Sequence, residues 1–128
     1  FMPRVPGDYV GMFREKLERH RVPVYFVNTG WIGGPYGVGK RIDISLTRAM
    51  IRAALEGELE RAGYTESPVF RLKVPRACPG VPAEVLSPER TWRKREEYYR
   101  SAEALLRELT EHFVRSFPDF RWLLDAIS

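Results

Sequence analysis

Cysteine and the side-chain amides are nearly missing from this chain: one Cys78, one Asn28 and no glutamine. A single cysteine excludes an internal disulfide and suits a reducing compartment. Few amides beside a basic set that is mostly arginine is the composition of heat-adapted proteins. No apolar run approaches the roughly 18 residues that a membrane span needs, so no membrane partner is expected. No signal-peptide pattern stands at the N-terminus, and a cytoplasmic location is expected. The first residue is Phe1 rather than methionine, which fits a processed product or a piece of a longer protein. The two histidines, His20 and His112, have no ligand spacing with each other; a helix end and a helix surface are their expected places.

What is present is the composition of a soluble globular protein. The 128 residues are 44% hydrophobic and 30% charged, a single-domain length able to bury roughly two-thirds of its unfolded surface. The net charge of +4 is spread over interleaved stretches such as Arg93-Lys-Arg-Glu-Glu97, which is the pattern of a solvated face. No base-reading motif accompanies it, so no nucleic acid is expected as a partner.

Periodicity and punctuation give the elements. Asp8 can cap a helix over 8–20 with Val10, Phe13 and Leu17 on one face, stopped by Pro23. Val24–Val27 is wholly apolar and reads as a buried strand at 24–27. A glycine-rich loop at 28–40 leads to a strand at 41–44. Ser45 then caps a helix at 46–62 whose apolar stripe is Leu46, Met50, Ile51, Ala54, Leu55 and Leu59, ended by Gly63. The segment 64–92 carries Pro68, Pro75, Pro79, Pro82 and Pro88. It allows little beyond a short strand at Val69–Val74 and needs a surface to lie on. A long helix at 93–117 has Tyr98, Ala102, Leu105, Leu109 and Phe113 inward and the pairs Glu103–Arg107 and Glu111–Arg115 outward. Pro118 stops it, leaving a short helix or tail at 118–128. The fold class is α/β, a mixed sheet with flanking helices.

The loop is where chemistry concentrates. Five glycines, Lys40 and Arg41 lie between Asn28 and Ile44, bare backbone and positive charge of the kind that approaches a nucleotide. Gly34, four residues, then Gly39-Lys40 nearly spells a phosphate-binding loop. The hydroxyl that should follow the lysine is replaced by Arg41, Pro35 removes one N–H, and strand-like residues separate Lys40 from the helix. A purely structural loop has less need of so many glycines. The favoured reading is a loop and strand lining a ligand site, with Arg41 available for stacking or forked hydrogen bonds. Trp31 and Tyr36 are expected to pack the loop in preference to stacking on a base. Lys40 can face phosphate or solvent. Cys78 reads as a small buried residue.

Asn28-Thr-Gly-Trp-Ile-Gly-Gly-Pro-Tyr-Gly-Val-Gly-Lys-Arg-Ile42, with Thr47-Arg48-Ala49 after it, resembles the C-terminal signature of ATP-dependent phosphoenolpyruvate carboxykinases. Cys78-Pro-Gly-Val-Pro82 and Leu86-Ser-Pro-Glu-Arg-Thr-Trp92 agree with that family in order and spacing, and Phe1-Met-Pro3 resembles the segment after its mobile lid. The resemblance covers nearly the whole chain and implies the C-terminal part of the family's nucleotide-binding domain over 1–128. It also implies a gluconeogenic lyase that decarboxylates oxaloacetate with ATP and gives phosphoenolpyruvate, ADP and carbon dioxide, with Mg2+ and Mn2+ as metals. By the same resemblance, Arg41, Ile42 and Thr47 contact the adenosine part of ATP.

That family's phosphate loop, metal-binding residues and oxaloacetate-binding arginines precede this segment, so no catalytic or metal-binding residue is expected here. The missing N-terminal part of the same enzyme is the expected partner, and the isolated chain is expected to be inactive. The alternatives are a non-catalytic nucleotide-binding module and a basic interaction protein without a small ligand.

Overall fold

The computed structural model describes residues 3–125; Phe1 and Met2 of the opening motif, and the end of the 118–128 tail, lie outside them. Helix α1 (Pro6–His20) starts two residues before the predicted Asp8 cap. Pro6 holds its φ ready for a helix and gives up an N–H that would have had no partner. Asp8 lies inside the first turn, with its own N–H donating to the Val5 carbonyl at 3.1 Å, and no side chain caps the helix. At the other end Arg21 turns left-handed (φ 48°) and donates its N–H to Leu17 at 2.8 Å. The helix stops there, before Pro23. Its predicted inner face is open: Val10 is 48% exposed and Phe13 56%.

The segment Val24–Val27 is no strand. Among the described residues it pairs with no strand, and Phe26 is 95% exposed. Only its Tyr25 turns inward, against the core. An apolar run signals burial in a sheet only when the sheet's other strands are at hand.

The single mixed sheet is likewise replaced, among the described residues, by two separate antiparallel hairpins. Strands β1 (Trp31–Ile32) and β2 (Lys40–Arg41) pair with Trp31 opposite Arg41 and Ile32 opposite Lys40, so the strand predicted over 41–44 ends at Arg41. Strands β3 (Tyr64–Glu66) and β4 (Lys73–Pro75) pair Tyr64 with Pro75 and Glu66 with Lys73. The strand expected over 69–74 is thus confined to its end, because residues 68–70 form the turn.

Between the hairpins lie α2 (Ile44–Leu55) and α3 (Glu58–Ala62), where one helix is predicted. Gly57, left-handed at φ 68°, makes the break. The break also turns the apolar stripe. Ala53, at 3% exposed, is the most buried side chain of α2, while Leu55 and Ile51 of the predicted stripe face outward. The core is small: Ala53, Leu59 and Cys78, with Tyr25, Met50, Ala54, Val81 and Leu86 packed on it.

The proline-rich segment supplies Cys78, Val81 and Leu86 to that core and ends in a short helix, α4 (Pro88–Thr91). Trp92 then packs edge-on to the ring of Tyr98 at 5.8 Å. Helix α5 (Arg95–Ser116) buries Tyr98 and Ala102. Leu105 and Leu109, predicted to be covered, are 47% and 52% exposed. The predicted pairs Glu103–Arg107 and Glu111–Arg115 are not closed; the helix ion pairs are Arg14–Glu18, Glu15–Arg19, Arg61–Glu58 and Lys94–Glu97. A 3-10 turn (Pro118–Phe120) and α6 (Trp122–Asp125) follow. The accessible surface is 10391 Å², against about 7,000 Å² for a compact monomer of this mass. The chain buries about half of its extended surface where roughly two-thirds is usual.

Candidate functional site

Hairpin β1–β2 and the start of α2 build the site. The ladder continues one bond past β2, with the Ile42 N–H donating to Gly30 at 2.9 Å. Extension then ends abruptly, because Asp43 caps α2: its carboxylate accepts from the Ser45 N–H at 2.7 Å. Ser45, the predicted cap, is therefore inside the first turn. Both residue types cap helices well, and only the backbone decides between them. The Asp43 carboxyl is held below the usual carboxylate range by the Ser45 hydroxyl first and the Ser45 N–H second.

The closed end of the hairpin is tight. The N–H groups of Val38 and Gly39 both donate to Pro35, at 3.0 and 2.9 Å. A Cβ on Gly39 would run into the Gly34 carbonyl and stand 2.8 Å from the Ile32 carbonyl oxygen, so no larger residue fits. Trp31 and Tyr36 pack edge to face across the hairpin at 5.6 Å.

Beside the hairpin lies a cleft of about 630 Å³, within the range of small-molecule sites. It is lined by Ile32, Gly33, Lys40 and Arg41 of the hairpin, by Asp43 and Leu46 at the start of α2, and by Pro82, Glu84, Val85 and Thr91 of the proline-rich segment. Lys40 and Arg41 are exposed, and neither is in an ion pair among the described residues. Ile42 and Thr47 are buried, at 6% and 8% exposed, and do not line the cleft. The Ile42 carbonyl and the Thr47 hydroxyl have no hydrogen-bond partner among the described residues. The three predicted residues thus fall within one strand end and the first turns of the helix after it, with Arg41 alone in the cleft.

The remaining candidates fall elsewhere. His20 is in the last turn of α1 and His112 is on α5, 3.4 Å from the Ser116 hydroxyl. Among the described residues no three His, Cys, Asp or Glu side chains come together to hold a metal ion. Burial pushes the Cys78 thiol up, so it stays protonated and packs in the core. Thr91 is the site residue that the sequence reading missed. Its hydroxyl accepts from the Gly33 N–H at 3.1 Å, across 58 residues of chain. Only its place in a motif with Trp92 offered a signal.

Comparison with known proteins points to one family. The family model described as phosphoenolpyruvate carboxykinase matches residues 1–84. "Phosphoenolpyruvate carboxykinase (ATP) 1" of Moorella thermoacetica is 49% identical over 121 residues, which is 94% of this chain and 22% of that protein. "Phosphoenolpyruvate carboxykinase (ATP)" of Caldanaerobacter subterraneus subsp. tengcongensis is 48% identical over 127 residues, 99% of this chain and 24% of that protein. The protein of the same description from Thermus thermophilus is 49% identical over 115 residues, 90% and 22% of the two chains. The chain spans less than a quarter of the length of these relatives.

Proposed function

Since the chain belongs to the ATP-dependent phosphoenolpyruvate carboxykinase family, we propose that it forms the adenosine-side wall of that enzyme's ATP site. The whole enzyme then converts oxaloacetate and ATP to phosphoenolpyruvate, ADP and carbon dioxide, a cytoplasmic lyase reaction of gluconeogenesis. In this reading the segment is the C-terminal part of the nucleotide-binding domain.

The observation that carries the reading is Arg41. The hairpin places Arg41 in the lining of the cleft, and it is in no ion pair among the described residues. A planar cation in that state can lie against an adenine face. The Ile42 N–H is spent on Gly30, so its carbonyl is the backbone group left for an amino group on the base. The Thr47 hydroxyl can donate and accept. ATP, when bound, supplies the phosphoryl group that is transferred; these three residues hold and orient its adenosine end and move no proton. The described residues do not bring together a ligand set for Mg2+ or Mn2+, and no step is assigned to a metal on this segment.

The test uses a full-length carboxykinase in which residues 1–128 replace the matching segment of the Thermus thermophilus relative. Arg41→Ala is expected to weaken ATP binding by about 1–3 kcal/mol, read as a raised KM for ATP with kcat little changed. An unchanged KM for ATP overturns the assignment.

A further inference from the structure

The glycine loop is fastened to the rest of the chain at one point. Among the described residues, a single hydrogen bond joins residues 29–41 to an element outside the hairpin and its flanks, and it is the bond from the Gly33 N–H to the Thr91 hydroxyl. The hydroxyl is itself oriented. Thr91 donates its hydrogen to the Pro88 carbonyl at 2.7 Å, which leaves its lone pairs to the Gly33 N–H. Thr91 is in turn backed by Trp92 against the buried Tyr98. A continuous path therefore runs from α5 through Trp92 and Thr91 to Gly33, one residue past Ile32, which is paired with Lys40. Gly33 and Thr91, in contact through their hydrogen bond, both line the cleft that Arg41 also lines.

We infer that Thr91 is a positioning residue for nucleotide binding, a clasp that fixes the Arg41 hairpin at the spacing the adenosine end requires. The inference rests on the adenosine-wall reading. Thr91 touches no reacting atom; it acts through Gly33 and the two-residue ladder to Arg41. Without the clasp the hairpin keeps its internal bonds and samples positions in which Arg41 misses its target. ATP binding weakens while the chemistry of correctly bound ATP is unaffected.

The same full-length enzyme tests this with Thr91→Val, which keeps the shape and removes the acceptor, and Thr91→Ser, which keeps the hydroxyl. Thr91→Val is expected to raise the KM for ATP about three- to tenfold, with kcat within about twofold, as the loss of one neutral hydrogen bond allows. Thr91→Ser is expected to stay near the parent. Hydrogen exchange of the 30–39 amides, which needs no activity, should speed up in Thr91→Val and not in Thr91→Ser. An unchanged KM and unchanged exchange in Thr91→Val overturn the proposal, as does a serine variant as impaired as the valine one. If Arg41→Ala raises KM and Thr91→Val does not, the clasp alone falls. If Arg41→Ala has no effect, the adenosine wall falls and takes the clasp with it.

Discussion

Tyr25 donates its phenolic hydrogen to the Glu60 carboxylate, tying the segment before the glycine loop to α3. The Tyr64 hydroxyl lies 3.1 Å from the same Tyr25 oxygen. Burial first and the Glu60 charge second push the Tyr64 hydroxyl up. Tyr25→Phe removes the bond but keeps the ring in the core. It should cost about 1 kcal/mol of stability and speed hydrogen exchange over residues 22–29 more than over α5. Uniform changes in both regions would mean that Tyr25 holds the chain by packing alone.

Thr47→Val should raise the KM for ATP in the full-length enzyme less than Arg41→Ala does, since one neutral hydrogen bond is lost and a stacked cation is not. Steady-state kinetics at varied ATP decides this. A larger effect than that of Arg41→Ala would reverse their proposed ranks.

The proximity of Arg41, Ile42 and Thr47 was legible because a long local string carries them; they are near neighbours, and the cap between them makes their geometry local. Thr91 was not legible, since nothing near position 33 announces a partner at position 91. Helices α1 and α5 were readable to within a few residues from periodicity and prolines. The failures share a cause. In the segment Val24–Val27, and at Leu105 and Leu109 on α5, apolar residues lie open among the described residues, so pattern predicted a burial that the described structure lacks. Gly57 was hidden differently: one glycine inside a helical pattern is tolerated at a cost of about 1 kcal/mol, so it does not announce a break.

The 128-residue chain alone should bind a hydrophobic dye and associate as its concentration rises. Its surface exceeds that of a compact monomer by roughly half, and Phe26, Leu55, Tyr36 and Val38 are each at least 75% exposed. Dye fluorescence and sedimentation across a concentration series measure this. Cooperative unfolding, no dye signal and a monomeric mass would instead favour an independent nucleotide-binding module.

The same isolated chain should not turn over oxaloacetate with ATP, magnesium and manganese above a control without protein. Its described side chains bring no metal-ligand set together. Metal-dependent turnover above the control would show that the segment carries more of the reaction than its site residues suggest.

Acid should loosen the start of α2 by removing its cap. Asp43 titrates below the ordinary carboxylate range because Ser45 favours its charged form. The cap's contribution is therefore complete above the unfolded-state pKa of about 4 and is lost as pH falls through the lower folded-state value. In Asp43→Ala the helicity lost in that range should already be missing at neutral pH. A variant whose acid transition matches the parent's would place the sensitivity elsewhere.

Gly39 gives the loop's spelling a different meaning. In a true phosphate-binding loop, the glycine before the lysine clears room for an anion. Here the vacant side of Gly39 is already taken by the Gly34 and Ile32 carbonyl oxygens, the negative ends of two peptide dipoles. The chain fills its own would-be anion hole with partial negative charge. A triphosphate approaching from that side would be repelled, so the near-match in letters is a resemblance of spelling without the anion hole that the spelling suggests.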